Sequence, residues 1–202
     1  MLPGKKRLTW SQLKIEVEDC KRCDLYKNAT QSVFGSGNRK AAILIIGEQP
    51  GDREDLAGEA FVGPAGGVLK SCLQEAGIEI TEVFMTNAVK HFKYVARGKS
   101  RIHQKPNAVQ IQACKPWLDE QIRLLKPQVI MALGATAARS LLGKNIVISQ
   151  VRGKVFPQSL YEARCFVSWH PSVILRTPDR QAAAIKRTEL IADLKKAKSS
   201  LK

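Results

Sequence analysis

An α/β architecture on a mostly parallel sheet is predicted by three features of the sequence. The short apolar runs Ala41 to Ile46 (AAILII), Val83 to Asn87 (VFMTN), Val129 to Leu133 (VIMAL) and Cys165 to Trp169 (CFVSW) have the length and branched content of buried strands. Segments with helical spacing of apolar residues lie between them, and such alternation gives parallel strands covered on both faces. Residues capable of chemistry cluster just after the strands, where open α/β sheets bind their ligands.

Thr9 with Gln12 forms a capping-box pattern, and Leu13, Ile15 and Val17 carry the short helix that follows. That helix delivers Cys20 and Cys23 as CKRC. Two thiolates two residues apart can grip one metal centre, but a lone pair of this kind can equally be redox-active or incidental. After the first strand, Gly47, Pro50 and Gly51 stop the extended chain and open the turn-rich stretch GEQPGDREDLAGEAFVGPAGG, 47–67. It packs acids (Glu48, Asp52, Glu54, Asp55), Gln49, glycines and Phe61 into one strand-to-helix loop. Glycines admit close backbone approach and Phe61 offers a flat apolar face; an ordinary acidic surface loop is the competing reading. From Ala65, Val68, Leu69, Cys72, Leu73 and Ala76 recur at helical spacing.

The second strand ends at Asn87, followed by Lys90 and His91. An Asn there can donate and accept at once, as reading a nucleobase edge requires, although it can also be a simple turn residue. Residues 91–106 (HFKYVARGKSRIHQKP) show no clean periodicity and read as a basic loop that reaches outward, carrying Lys99, Arg101, His103 and Lys105. Taken alone, these cations are solvated or touch phosphate, and His103 is a surface imidazole. Asn107 and Gln110 cap a helix through Ile111, Cys114, Leu118 and Ile122 to Leu125, which Lys126-Pro127 ends. After the third strand a helix runs from Gly134 to Leu142 and stops at Gly143, and a short strand is expected in 151–156. The fourth strand leads into His170-Pro171-Ser172. Thr177 as N-cap with Pro178 at the first helical position opens the last helix, whose final lysines suit its dipole.

The 202 residues suit a single domain, 1–202, without repeats or linkers. Lys and Arg number 33 against 18 Asp and Glu, a net charge of +15 that is dense at Lys5-Lys6-Arg7 and at Lys195-Lys196-Ala197-Lys198. Such an excess points to a polyanion partner, with a merely basic protein as the alternative. AAILII is far short of the roughly 18 residues of a membrane span, so no membrane partner is expected. The start, MLPGKKRLTW, lacks the apolar middle of a secretory signal, so cytoplasmic residence is expected. In that reducing compartment five cysteines favour metal or catalysis over disulfides.

The segments GEQPGDREDLAGEAFVGPAGG, TNAVKHFK, KSRIH, ACKPWLDEQI and HPSVILR occur in this order. Together they resemble the iron–sulfur uracil-DNA glycosylases, and the UdgX class of that superfamily above all, from Cys20 to about Arg176. The resemblance implies a three-layer α/β/α sandwich with a central four-stranded parallel sheet. It implies cleavage of the N-glycosidic bond between uracil and deoxyribose, in single-stranded and double-stranded uracil-containing DNA, by a monomer.

On this resemblance Phe61 is the stacking aromatic and Asn87 reads the uracil edge, with Gly47 and Gly51 in the same pocket loop. His170 matches the donor that stabilises the departing base. Glu48 is placed to face the sugar cation or to orient the attacking group, with Gln49 and Asp52 beside it. Ser172 and Arg176 match the DNA-touching segment, and Lys99 and Arg101 the basic loop. In UdgX-like sequences the histidine matched by His103 captures the sugar carbon after uracil leaves, so that the enzyme stays attached to DNA. Here the loop reads KSRIH, with Ser100 where the class has Arg, which bears on loop geometry or a phosphate contact. Cys20, Cys23 and Cys114 match three ligands of a 4Fe-4S cluster, and His91 stands at the fourth position, where the family has Cys. Zinc on the same set is the rival. Cys72 and Cys165 read as buried apolar side chains. A turnover glycosylase using water, a uracil-DNA sensing protein and a generic basic nucleotide-binding module are the competing functions.

Overall fold

The computed structural model describes residues 7–143, 146–158 and 162–201; Lys5 and Lys6 of the N-terminal basic run lie outside these. In chain order the elements are α1 (Trp10–Glu18), β1 (Ser36–Gly37), β2 (Ile43–Gly47), α2 (Asp52–Ala57), α3 (Pro64–Glu75), β3 (Val83–Asn87), β4 (Tyr94–Arg97), β5 (Ser100–His103), α4 (Ala108–Leu125), β6 (Val129–Leu133), α5 (Ala135–Leu142), α6 (Ile148–Val151), β7 (Val155–Gln158), β8 (Ala163–Ser168), α7 (Pro171–Arg176) and α8 (Arg180–Ser199).

The four apolar runs pair in parallel in the order β3-β2-β6-β8, the central sheet the sequence leads one to expect. Two strands extend it at the edges: β1 runs antiparallel to β3, and β7 antiparallel to β8. The sheet therefore has six strands rather than four. Alternate residues face opposite layers. Ile43, Ile45, Met85, Met131 and Phe166 pack with Leu69 and Leu73 of α3 and Leu190 and Leu194 of α8. Leu44, Ile46, Ile130, Ala132 and Val167 pack with Leu118 and Ile122 of α4 and Ala137 and Leu141 of α5. Each fully buried Leu or Ile contributes about 1.5–3 kcal/mol. A smaller apolar cluster joins Leu13 and Val17 of α1 to Ile111, Cys114 and Trp117 of α4. Among the described residues no helix is long and apolar enough to cross a membrane.

Local signals at helix starts hold in two places and fail in one. Thr9 with Gln12 and Asn107 with Gln110 form reciprocal capping boxes. Thr177 does not cap the last helix: it closes α7, and the Asp179 side chain accepts from the Ala182 N–H to start α8. A carboxylate at that end also meets the helix dipole, which a hydroxyl does not. The stretch 91–106 is likewise no irregular loop, because β4 and β5 form an antiparallel hairpin pairing Tyr94 with His103 and Arg97 with Ser100. Within 151–156 the strand begins only at Val155, since Val151 closes α6.

Candidate active site

Gly47, at the end of β2, lies beside Asn87, at the end of β3, in parallel register. A Cβ on Gly47 would sit 2.3 Å from Asn87 Oδ1 and 2.8 Å from Phe61 Cζ, so glycine is what lets the amide and the ring close over the strand end. Phe61 itself adopts a left-handed backbone, φ 57°, a strained choice for an aromatic residue. Its turn is packed against α3 so tightly that a Cβ on Gly66 would stand 1.9 Å from the Phe61 carbonyl. The surrounding structure thus fixes a ring in a conformation it would otherwise avoid. The Phe61 and His170 rings stack at 6.3 Å and 30°. Asn87 is buried, and among the described residues no protein group hydrogen-bonds its side-chain amide.

These groups line a cavity of about 530 Å³ together with Glu48, His103, Lys105 and Arg176. Glu48 follows β2 directly. Its Oε2 accepts a 2.5 Å hydrogen bond from Thr136 Oγ1 in the first turn of α5, and its Oε1 lies 3.3 Å from His103 Nε2 at the end of β5. Burial pushes the carboxyl up, but the bonds from His103 and Thr136 and the fields of both imidazoles outweigh it, leaving the group below the usual carboxylate range. His170 is lowered as well, which for an imidazole favours the neutral form. Burial lowers its imidazole to about 4, against the pull of Glu48 and aided by the charges of Arg176 and His103. The Ser172 N–H donates to His170 Nδ1 at 3.2 Å, so at neutral pH Nδ1 holds the lone pair and Nε2 the proton. The strand that delivers this ring is braced from behind. Ser168 donates to Asp193 at 2.6 Å, Trp169 Nε1 donates to Glu189 at 2.6 Å, and Arg152 reaches Asp193 at 2.8 Å.

Three expected site residues are also bonded within the protein, Gln49 while lining the cavity. Gln49 Nε2 donates to the Lys93 and Gln104 carbonyls at 3.1 and 3.0 Å, which pins both ends of the hairpin. Asp52 faces Arg101 at 2.5 Å rather than joining Glu48 in the cavity lining. Arg101, expected to touch DNA, is held by protein instead: it donates to Asp52 and to the fully buried Asp55, both at 2.5 Å, and lies over the Phe92 and Tyr94 rings. Gly51 caps α2, and its N–H donates to Glu54. Lys99 is exposed at the hairpin turn, and Ser172 and Arg176 stand on α7 at the cavity. Two residues at the site went unassigned in the sequence. Glu54, whose carboxylate accepts from Gly51 at 3.1 Å and Gly63 at 2.7 Å, shows the three-residue spacing of a cap. Thr136 carries no local signal at all.

Cys20, Cys23 and Cys114 come together in the α1–α4 cluster, close enough for the first two to act electrostatically on the third. Burial pushes the Cys114 thiol to about 12 and raises Cys23. Trp117 Nε1 donates to Cys20 Sγ at 3.1 Å, and the Lys90 N–H to Cys114 Sγ at 3.2 Å. Lys90, wholly buried, places its Nζ on Thr86 Oγ1, Asn87 O and Gln121 Oε1 at 2.6–2.8 Å. His91 is buried as well, and burial lowers its imidazole against the pull of Asp55. Among the described residues no three His, Cys, Asp or Glu converge closely enough to hold a single metal ion.

The model of the uracil DNA glycosylase superfamily matches residues 34–195. The chain belongs to that superfamily. Among similar proteins of the superfamily is the Type-4 uracil-DNA glycosylase of Thermotoga maritima, 35% identical over 187 residues, 92% of this chain and 91% of the relative. That of Sulfurisphaera tokodaii is 37% identical over 175 residues, 83% and 76% of the two chains. A DNA polymerase of Bacillus phage SP01 is 30% identical over 166 residues, 82% of this chain but 17% of the polymerase. Within this fold an imidazole on a two-stranded arm meets the carboxylate that follows β2.

Proposed function

We propose that this protein excises uracil from DNA and then captures the abasic sugar covalently through His103. The observation that carries the reading is Glu48, held by Thr136 on one oxygen and facing His103 Nε2 at 3.3 Å on the other. A flipped uracil stacks on Phe61 and presents its edge to Asn87. As the C1′–N1 bond breaks, its electron pair leaves with the uracil, and the neutral His170 donates from Nε2 toward that developing charge. Glu48, ionised below the usual range, faces the cationic sugar. The His103 nitrogen not bonded to Glu48 supplies the lone pair that forms the new bond to C1′. The other nitrogen's proton passes to Glu48 or solvent, and the uracil anion takes one from solvent. An imidazole held in place has the advantage of proximity over a water that must be positioned each time. Lys99, Lys105, Ser172 and Arg176 contact the DNA backbone, single-stranded or double-stranded, and one domain acting as a monomer suffices.

Cys20, Cys23 and Cys114, gathered where α1 meets α4, would hold a 4Fe-4S cluster. The N–H donors on two of the sulfurs are of the kind that tunes such centres. His91 is the fourth ligand in this reading, and the cluster's part is structural. A band near 400 nm supports it, and a colourless protein containing zinc overturns it.

The names of the Type-4 relatives favour a second reading, turnover hydrolysis with water as the attacking group. Mixing the protein with a labelled single-stranded oligonucleotide containing one uracil, boiling, and running a denaturing gel separates the two. A retarded band at the summed mass, lost in His103→Ala, supports capture. A free abasic strand alone supports turnover, and an intact oligonucleotide refutes both.

A further inference from the structure

The carboxylate that addresses His103 is not aimed by its own strand. Glu48 lies one residue beyond β2, where its carbonyl still accepts from the Val89 N–H at 3.0 Å, so its backbone is held while its side chain needs a partner of its own. Thr136 is the group in position to be that partner. It is 2% exposed, stands in the first turn of α5, and donates to Glu48 Oε2 at 2.5 Å. We propose that Thr136 is a positioning residue for the reaction: its hydroxyl fixes Oε2 of Glu48 so that Oε1 is presented to His103.

The consequence is both geometric and electrostatic, and it rests on the reading that Glu48 works at the sugar. A hydroxyl donates more strongly to a carboxylate than to a neutral carboxyl, so the bond favours the anion, and the α5 dipole adds to it. Glu48 is faced by His103 from β5, by His170 from the start of α7 and by Thr136 from α5, and Lys105 and Arg176 also line the cavity. Removing the hydroxyl leaves the imidazoles in place and frees the carboxylate to rotate.

Thr136→Val keeps the branched shape and loses the donor, whereas Thr136→Ser keeps the donor. Single-turnover uracil release, counting free and captured sugar together, is measured from pH 4.5 to 8 for both variants and for Glu48→Gln with and without Thr136→Val. Expected are a plateau about tenfold lower and an acid limb moved up by about one pH unit in Thr136→Val. Thr136→Ser should behave as wild type, and Thr136→Val should add nothing in the Glu48→Gln background. An unmoved acid limb, or full additivity with Glu48→Gln, overturns the proposal. A carbon-13 NMR titration of the Glu48 carboxyl reads the same link without any activity. If wild type releases no uracil, the functional reading has failed, and an upward shift of the Glu48 titration in Thr136→Val still upholds the positioning role while an unchanged one refutes it.

Discussion

The two walls of the cavity are built on different principles. One wall is the rim of the parallel sheet: Asn87 ends β3, and Glu48 and His170 stand just beyond β2 and β8, strands whose residues are nearly all buried and locked in register. The other wall is the β4–β5 hairpin, largely exposed, which carries His103 and is tied to the rest of the protein by side chains. Gln49 holds its base, Tyr94 Oη reaches the Asn28 carbonyl at 3.0 Å, and Arg101 bridges Asp52 and Asp55. The groups proposed to hold and release uracil are thus placed by the fold itself, and the group proposed to capture the sugar by a few removable tethers.

That contrast is sharpest at Asp55. Asp55→Ala leaves Arg101 without its buried partner and should cost about 3 kcal/mol, read by denaturant melting. It should also lower the ratio of captured to released sugar on a denaturing gel. An equal loss of capture and release would abolish the distinction between the walls. Gly47→Ala attacks the rim instead. Its Cβ would overlap Asn87 Oδ1 at 2.3 Å, so uracil release should fall by about a hundredfold, with capture falling in step. Single-turnover assays of released base check this, and a variant that still excises normally refutes the close-packed account of the pocket.

The rim is also the acid-sensitive wall. His170 is lowered to about 4 from an unfolded value near 6.5, so between those values the unfolded chain binds the extra proton. Stability therefore rises with pH through that window and levels off above it, while Glu48, lowered too, loses its contribution as pH falls through its folded value. Thermal melting should drop from pH 7 to pH 4 by at most about 3 kcal/mol from His170, and His170→Asn should remove that part. The smallest effect belongs far from both walls: Lys14→Ala, which breaks the exposed pair with Glu18 at 3.8 Å, should change stability by less than about 0.5 kcal/mol.

The same contrast governs what could be read from the sequence. Glu48, Asn87 and His170 were legible because apolar runs announce strands and each residue ends one. The hairpin was not, since YVAR and SRIH are short exposed strands whose only apolar pair, Val95 with Ile102, stays half in solvent, and they are joined across Gly98 at φ 58°. Edge strand β1 spans only two residues, and Pro157 interrupts the pattern of β7, an edge strand where proline is tolerated. Arg101 looked like a DNA contact because its acceptors lie 46 and 49 residues away in the chain, a pairing no local pattern carries. Thr136 was hidden for the same reason, 88 residues from Glu48.

The brace behind β8 gives this molecule an internal gauge. Trp169 neighbours His170 in sequence, and its indole is bonded to Glu189 of α8 at 2.6 Å. Its fluorescence therefore reports on the last helix on one side and on the His170 segment on the other. Loosening α8 should change the tryptophan emission before any base is bound, which makes the chain's far end an optical handle on its candidate site.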